Sequence, residues 1–589
     1  MHSLKRSDRA SRHLIENTSW VVIALLLAGC GSGSNSSTPA SVRETGTPGA
    51  EASVGERLFL ETRFAQSFKV FLDHGGDINN PKAGDPVVAT AETPDPSAPI
   101  TPGAFKDMSM NCRACHMVDD LLTPSNERMR TYADFAPRSP IPARPDGKTH
   151  ASRNSPALVN SALARPGGVL FHFDSEFNSM EDLVAATFTG RNFGWLPGER
   201  VQAIAHVARV VRGDDGSDDL AQETSEGLSY RTLFTGSDPD IPDELRLPPA
   251  FRAFVGSGTD QEVFTAVVKV VAAYVNQLRF SQQEDSGALI RSPFDVFLKI
   301  NGLPQQPDLT ATPPETPLAY SRRLLQLVLA REAANTLKFV TKNPNRSGGR
   351  FQFHPSQNFE FGAQELEGLK IFLTEPLAIP AAGNELTDGK IGNCLACHAA
   401  PNFTDFKLHN TGTAQKEYDD FPSHGAGAFM ALNIPGLAAR TANDLPATEQ
   451  NPTASERFRS IPSDSTTLTD LGVWNIFANP AVPTPQAKIR AILCDDQQPC
   501  PLSDATLLDQ AIARFKTPGL RDLGHSAPYM HNGQFGTLDN IIGFYREVSA
   551  QARAGTLRNG ATQLQGIALT AGDATALVAF LNSLNEDYQ

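Results

Sequence analysis

Met110–Asp119 reads MNCRACHMVD and Gly392–Pro401 reads GNCLACHAAP, so one chain of 589 residues carries Cys-x-x-Cys-His twice. A bare Cys-x-x-Cys would serve as a redox dithiol or half a zinc site. A histidine directly after the second cysteine makes it the attachment signal of a c-type haem. The spacing has a chemical reason: two thiols on one helical turn add to the two vinyl groups of the macrocycle, and the adjacent imidazole faces the iron. A zinc site would need a third and a fourth ligand close to each motif. Cys112, Cys115 and His116 are therefore assigned to a first haem, and Cys394, Cys397 and His398 to a second.

The chain is long enough for two or more domains. Its apolar share of 40% is globular, and 45 Gly with 43 Pro imply many loops and turns. A formal net charge of -14, without a Lys/Arg-rich tract beyond the N-terminus, argues against nucleic acid as a partner. It would attract a modestly basic redox protein. Lys5, Arg6, Arg9 and Arg12 precede WVVIALLLAGC, an apolar run too short to span a bilayer and suited to a secretory leader. Its ending, Leu27-Ala28-Gly29-Cys30, resembles a bacterial lipobox. That resemblance implies a signal peptide over 1–30, a lipid anchor on Cys30 and a protein facing the periplasm. Gly31 in place of Asp implies sorting to the outer membrane of a Gram-negative bacterium. The alternative is an ordinary leader cleaved later, within GSGSNSSTPAS. The two remaining cysteines, Cys494 and Cys500 in CDDQQPC, are expected to pair in an oxidising compartment.

Residues 31–52 are rich in Ser, Gly, Thr, Pro and Ala and read as a flexible tether. SVGERLFLETRF, with Leu58, Phe59 and Phe64, predicts an amphipathic helix upstream of the first motif. QELEGLKIFL, with Leu366, Leu369, Ile371 and Phe372, predicts another upstream of the second, as though one unit were repeated. EVFTAVVKVVAAYVNQL, RRLLQLVLAREAANTL and the terminal TALVAFLNSL continue the helical period, and strand alternation is scarce. The expected fold is mostly α: an N-terminal cytochrome c-like haem domain over 53–345, holding a helical insertion at about 199–345, and a C-terminal one over 346–589.

Three stretches carry a family resemblance: RNSPALVN, CLACHAAPNFTDFKLHNTG and FKTPGLRDLGHSAPYMHNGQFGTLDNIIGFYRE, framed by GERLF and LVAFLNSL. The chain is similar to the bacterial dihaem cytochrome c peroxidases and the related methylamine-utilisation protein MauG. The insertion has no counterpart there. The resemblance implies proximal ligation by His116 and His398. It also implies a calcium ion held by the Asn154 side chain and the carbonyl oxygens of Ser526 and Pro528, hard donors that suit calcium; otherwise Asn154 caps a turn before Pro156. Tyr545 falls where the peroxidases place a methionine on the second iron and MauG places tyrosine. A phenolate favours ferric or higher states and a thioether favours ferrous iron. Met530 is the competing ligand. His150 lies where the first iron could take a distal histidine, or else is a loop residue.

Two positions depart from the family. Phe173 replaces the tryptophan between the haems. Leu183 and Phe193 stand where a glutamine and a glutamate manage protons over the first haem, and neither side chain can act as acid or base. Arg191 could stabilise charge nearby and Trp195 could be a redox-active ring; the bland readings are a surface arginine and a packed indole. The leading expectation is a peroxidase that reduces hydrogen peroxide with electrons from a small c-type cytochrome or cupredoxin. The alternatives are MauG-like oxidation of a partner protein and an electron carrier with no substrate of its own.

Overall fold

A computed structural model describes residues 49–80, 111–112, 115–116, 146, 148, 151–165, 167–280, 282, 286–341, 359–378, 389–462 and 468–586. Cys30 and His150 lie outside them. The fold is mostly helical. Among the described residues its one sheet pairs Leu408–His409 with Phe515–Lys516, antiparallel. No described helix is long and apolar enough to cross a membrane.

Two helix pairs organise the chain. Ala50–Phe59 packs on Asp260–Gln277, and Ala363–Leu373 packs on Asp573–Asn582. The first of these helices starts at Ala50, inside the stretch expected as tether, because Ala50 and Ala52 are already buried. Each pair closes on a glycine. A Cβ on Gly55 would lie 2.5 Å from the Val270 carbonyl oxygen and 2.7 Å from Tyr274 Cβ. A Cβ on Gly368 would lie 2.0 Å from the Ala576 carbonyl oxygen and 2.7 Å from Phe580 Cβ. Gly55 is followed by Leu58-Phe59 and Gly368 by Ile371-Phe372, all buried. The same glycine and the same two apolar side chains thus recur in both helices. Burying each of these large apolar side chains is worth roughly 1.5–3 kcal/mol, so close backbone approach and the apolar stripe together hold each pair. The capping box of Thr259 and Glu262 starts the long helix of the first pair.

The stretch read as an insertion divides between these two cores instead of forming a body of its own. Arg200–Gly213, Tyr230–Thr235 and Asp260–Gln277 join the first core, through Val207, Val211, Tyr230 and Val267. Pro293–Ile300 and Pro317–Ala333 join the second, through Phe294, Phe297, Tyr320 and Leu324. The change of core falls between Gln277 and Pro293, well before 345. Helical period shows that a face must be buried but not against what.

The cores are pinned by buried charge. Arg57 and Arg63 meet Glu61 and Asp214 in an ion-pair network at 0–2% exposure, and the Tyr230 hydroxyl donates to Glu61 (2.8 Å). In the second core Arg521 donates to Asp295 (2.9 Å) and to the Pro401 carbonyl (2.9 Å), tying Pro293–Ile300 to the loop after His398. A third core gathers Phe458, Trp474 and Phe477, with the Cys494–Cys500 disulfide at its edge.

Candidate functional site

The two motifs make the same turn. Cys115 and His116 N–H both donate to the Cys112 carbonyl (3.2 and 3.0 Å), and Cys397 and His398 N–H both donate to the Cys394 carbonyl (3.2 and 2.7 Å). All four cysteines are free thiols. Burial pushes the thiols of Cys112, Cys115 and Cys394 up to about 12 and raises Cys397 as well. They are protonated thiols, the form that adds across a vinyl group.

Each imidazole is held from behind. Burial lowers the His116 pKa to about 4, and the Pro156 backbone accepts a hydrogen bond from the ring. Burial also lowers His398, whose Nδ1 lies 2.9 Å from the Phe403 carbonyl and whose ring bonds the Pro518 backbone too. A neutral imidazole with one nitrogen fixed by a carbonyl presents the other as a lone-pair donor, as metal-ligating histidines do. The two prolines sit in matching contexts, Ser155-Pro156-Ala157-Leu158 and Thr517-Pro518-Gly519-Leu520. This second internal repeat was legible in the sequence but passed over, since nothing local connects it to the motifs.

His116 and Cys112 line a cavity of about 620 Å³, inside the range of small-molecule and cofactor sites. Leu183, Trp195, His172 and Glu456 also line it. Arg191 reaches this wall but is engaged: its guanidinium donates to Glu456 (2.5 Å), which also pairs with Lys148. Burial would raise the Glu456 carboxyl, but Arg191 and Lys148 outweigh it and hold the pKa at about 2. Trp195 is 1% exposed, with its ring 5.9 Å from His206. Phe193 does not line the cavity; it packs on Phe188 (5.1 Å). Phe173 lines it, and its carbonyl accepts the Lys516 N–H (2.7 Å), joining this wall to the strand that leads to Pro518.

The second motif has a tighter setting. Phe294, Phe372, Phe403 and Phe580 pack ring against ring at 5.2–5.9 Å. Tyr545, on the helix Leu538–Ala554, packs with Met530 against a small core of Phe544, Val548 and Leu557. Burial raises the Tyr545 phenol, and the Cys397 and Cys394 thiols raise it further. Met530 has φ of +70° in the loop between Tyr529 and the following turn.

Of the expected calcium donors, Asn154 and Pro528 are brought together. Asn154 N–H donates to the His531 carbonyl (2.7 Å), and its Nδ2 to the carbonyls of Pro528 (2.5 Å) and Met530 (3.2 Å). Its Oδ1 is buried without a hydrogen-bond partner, an orphan acceptor that suits a hard cation. The Ser526 N–H (3.2 Å) and hydroxyl (3.4 Å) both donate to the Leu523 carbonyl, and neither bond involves its own carbonyl oxygen, the expected donor. Cys397, Asp405 and His409 also approach one another, one ligand short of zinc's usual four; Asp405 there already accepts from His409 (2.8 Å) and from Lys407 N–H (2.9 Å).

Sequence reasoning missed the acidic and basic groups at the cavity wall. Arg153 joins Asp174 and Asp470; Arg459 joins Asp174 and Glu176. Glu456, Arg459 and Asp470 lie in a region with no motif, far along the chain from His116, and no local pattern marks them.

No protein-family model matches the chain. It is 26% identical over 204 residues to the cytochrome-c peroxidase IdrP2 of Denitromonas iodatirespirans, covering 34% of this chain and 38% of that one. It is 28% identical over 205 residues to the protein of the same name from Pseudomonas sp. (strain SCT), covering 35% and 39%. The chain thus matches well under half the length of these relatives. Among solved structures, a MauG-like protein associated with microbial copper homeostasis is 13% identical over 94% of this chain and 96% of its own, with a TM-score of 0.38. The diheme peroxidase BthA of Burkholderia thailandensis is 15% identical over 91% and 86%, also with a TM-score of 0.38.

Proposed function

We propose, from the premise that this chain is a relative of the cytochrome-c peroxidases, that it is a dihaem c-type oxidoreductase reducing hydrogen peroxide with electrons from a small redox protein, a c-type cytochrome or a cupredoxin. The observation that carries this reading is the duplicated site: two identical Cys-x-x-Cys-His turns, four free, half-buried thiols and two neutral imidazoles, each backed by a carbonyl.

Cys112 and Cys115 would hold one macrocycle and Cys394 and Cys397 the other, with His116 and His398 as iron ligands. Bound haem supplies the redox chemistry; the protein supplies orientation, ligation and electrostatics. The Pro156 and Phe403 carbonyls fix the two rings. Leu183, Val184 and Phe188 keep the inner wall of the first cavity apolar, while the Arg191–Glu456–Lys148 pairing anchors its charged side. The two helix-pair cores would be the two cytochrome c-like domains. Tyr545 would ligate the second iron, with Met530 packed beneath it, and Asn154 with Pro528 would hold one calcium ion between the sites. Residues 1–30 would be a lipoprotein leader, leaving Cys30 anchored to the outer membrane on the periplasmic side.

A second reading has its own support. The Tyr545 phenol beside the second pair of thiols favours a centre that stores an oxidising equivalent for a partner protein's side chain, as in MauG-like enzymes. The test is the exported protein, its mass measured and then mixed with peroxide and reduced cytochrome c. Two added macrocycles and sustained oxidation of cytochrome c are expected. A colourless product sinks both readings; a coloured protein that consumes no reductant, yet forms a long-lived oxidised spectrum discharged by one specific protein, selects the second.

A further inference from the structure

Neither Leu183, which lines the cavity beside His116, nor Phe193, which packs outside it, can act as acid or base toward peroxide. The cavity's titratable groups are mostly committed. Glu456 is held ionised by Arg191 and Lys148, and Asp182 and Glu449 are exposed at the rim. Among the described residues, His116 and His172 are the two imidazoles that line it.

His172 is built into place. It sits in the left-handed region at φ of +62°, where a non-glycine residue costs about 1–3 kcal/mol and is retained when its surroundings over-determine it. The Phe171 N–H to Phe177 carbonyl bond (2.7 Å) closes the loop that carries it, and its ring stands edge-on to Phe177 at 4.9 Å. Nδ1 lies 3.2 Å from Glu176 Oε2. Glu176 is gripped in turn by Arg459, at 3.2 Å to Oε1 and 2.5 Å to Oε2. Burial would raise the Glu176 carboxyl, but Arg459 and His172 hold it well below the usual range. Glu176 is therefore a carboxylate that accepts a hydrogen bond from Nδ1–H and leaves Nε2 to accept or give a proton, the same division of labour as in other carboxylate–imidazole pairs.

We propose that His172 is the proton-transferring residue of the first cavity, positioned by Glu176 and Arg459; the proposal rests on the peroxidase reading above. Nε2 takes the proton from the inner oxygen of hydrogen peroxide and returns it to the outer oxygen. The O–O bonding pair leaves with the outer oxygen, which departs as water rather than hydroxide. The inner oxygen becomes a second water with two electrons from the redox-protein donor and two protons from solvent. The ionisable groups facing the ring are the carboxylates of Glu176 and Asp174, with Arg153 and Arg459 behind them, and the neutral imidazole of His116, which lines the same cavity.

His172→Asn is the variant of choice, because asparagine tolerates the left-handed backbone; His172→Gln is the second. With two macrocycles confirmed by mass, both should react with peroxide roughly 10²–10⁴-fold more slowly, the span of positioned acid–base catalysis. Both should also bind cyanide to the ferric protein more slowly, since hydrogen cyanide must surrender its proton. Glu176→Gln should slow both the peroxide and the cyanide reactions, and Glu176→Asp, which keeps a carboxylate acceptor for Nδ1–H, should restore part of each rate; a merely structural role would leave both rates unmoved in the folded, two-haem variants. Unchanged peroxide and cyanide rates in the His172 variants overturn the proposal. If the unaltered protein ignores peroxide, the peroxidase reading fails by itself, and the cyanide rates still decide on His172.

Discussion

Around His116 the chain leaves a cavity of about 620 Å³ with charged walls, while around His398 it packs phenylalanine rings and a tyrosine. The two turns that carry these histidines share the same hydrogen bonds, the same proline contact and the same preceding glycine helix. Identical local chemistry therefore has two settings. The first setting is a cavity walled by Arg191, Glu456, His172 and Glu176; the second is a cluster of phenylalanine rings with Tyr545 nearby, bordered by Asp405 and His409 next to Cys397. What distinguishes the sites is the surrounding tertiary structure, not the motif.

The largest effects should come from removing one site at a time. Replacing Cys112 and Cys115 by serine should leave one macrocycle by mass and abolish the peroxide reaction. The same change at Cys394 and Cys397 should also leave one macrocycle, yet preserve cyanide binding while stopping steady turnover. If the two double variants behave alike, the division of roles is wrong.

Next come the glycines. Helix propensity alone predicts that Gly→Ala would stabilise each helix by about 1 kcal/mol. Overpacking against the facing carbonyl costs typically 1–3 kcal/mol or more. The intruding Cβ would be 2.0 Å away at Gly368 and 2.5 Å at Gly55, so both alanine variants should lower the thermal midpoint, Gly368→Ala more. A raised midpoint in either would show that the helix pair is looser there than the geometry requires.

Acid should act chiefly through the buried carboxylates of the first core and the first cavity. Glu61 and Glu456 have folded pKa values of about 2: burial opposes this, but Arg63 in one case and Arg191 with Lys148 in the other prevail. A depressed carboxyl stabilises the fold above its unfolded pKa, and that stability is lost as pH falls through the folded value. Each group contributes on the order of 3 kcal/mol near neutrality, lost between about pH 4.5 and 2. His206, lowered to about 4 by burial, adds a loss that begins near pH 6.5, where the unfolded chain takes up a proton. Denaturant midpoints measured from pH 7 to 3 should fall first through His206, below about pH 6.5, and then through the two carboxylates, below about pH 4.5.

The smallest effect is the most diagnostic for the cavity wall. Arg191→Gln leaves Lys148 on Glu456, so stability should fall by only about 1–2 kcal/mol. The Glu456 titration should move upward from about 2. An Arg191 that stabilised charge on a reacting molecule would instead cut the peroxide rate without touching that titration.

Part of the candidate site was reachable through the family resemblance. Counting from APYMHNG singles out Tyr545, whose phenol is raised by burial and by the Cys397 and Cys394 thiols. The same resemblance names Asn154 and Pro528, and the Asn154 side chain donates to the Pro528 carbonyl. A resemblance carries such positions when the segment between motif and residue is a helix or a tight turn. Less was legible at the first site. Arg191 and Trp195 were noticed as residue types, but Arg191 is engaged by Glu456, which comes from a loop 265 residues further along the chain. The division of the 199–345 stretch between two cores was illegible for a related reason: its helices announce apolar faces and not their partners.

By itself the sequence determined what is written within one turn or one repeat: the thiol–thiol–imidazole triplets, the glycine-bearing helices, the Cys494–Cys500 pair and the mostly helical class. Only the tertiary structure decided which proline carbonyl backs each imidazole, that the first site has a cavity and the second a ring-packed shell, and that His172 is oriented by Glu176 and Arg459. The physical reason is range. Backbone turns and side-chain periodicity are set by neighbours in the chain, whereas buried charge and cavity walls are assembled from segments whose meeting depends on how all the apolar faces are covered at once.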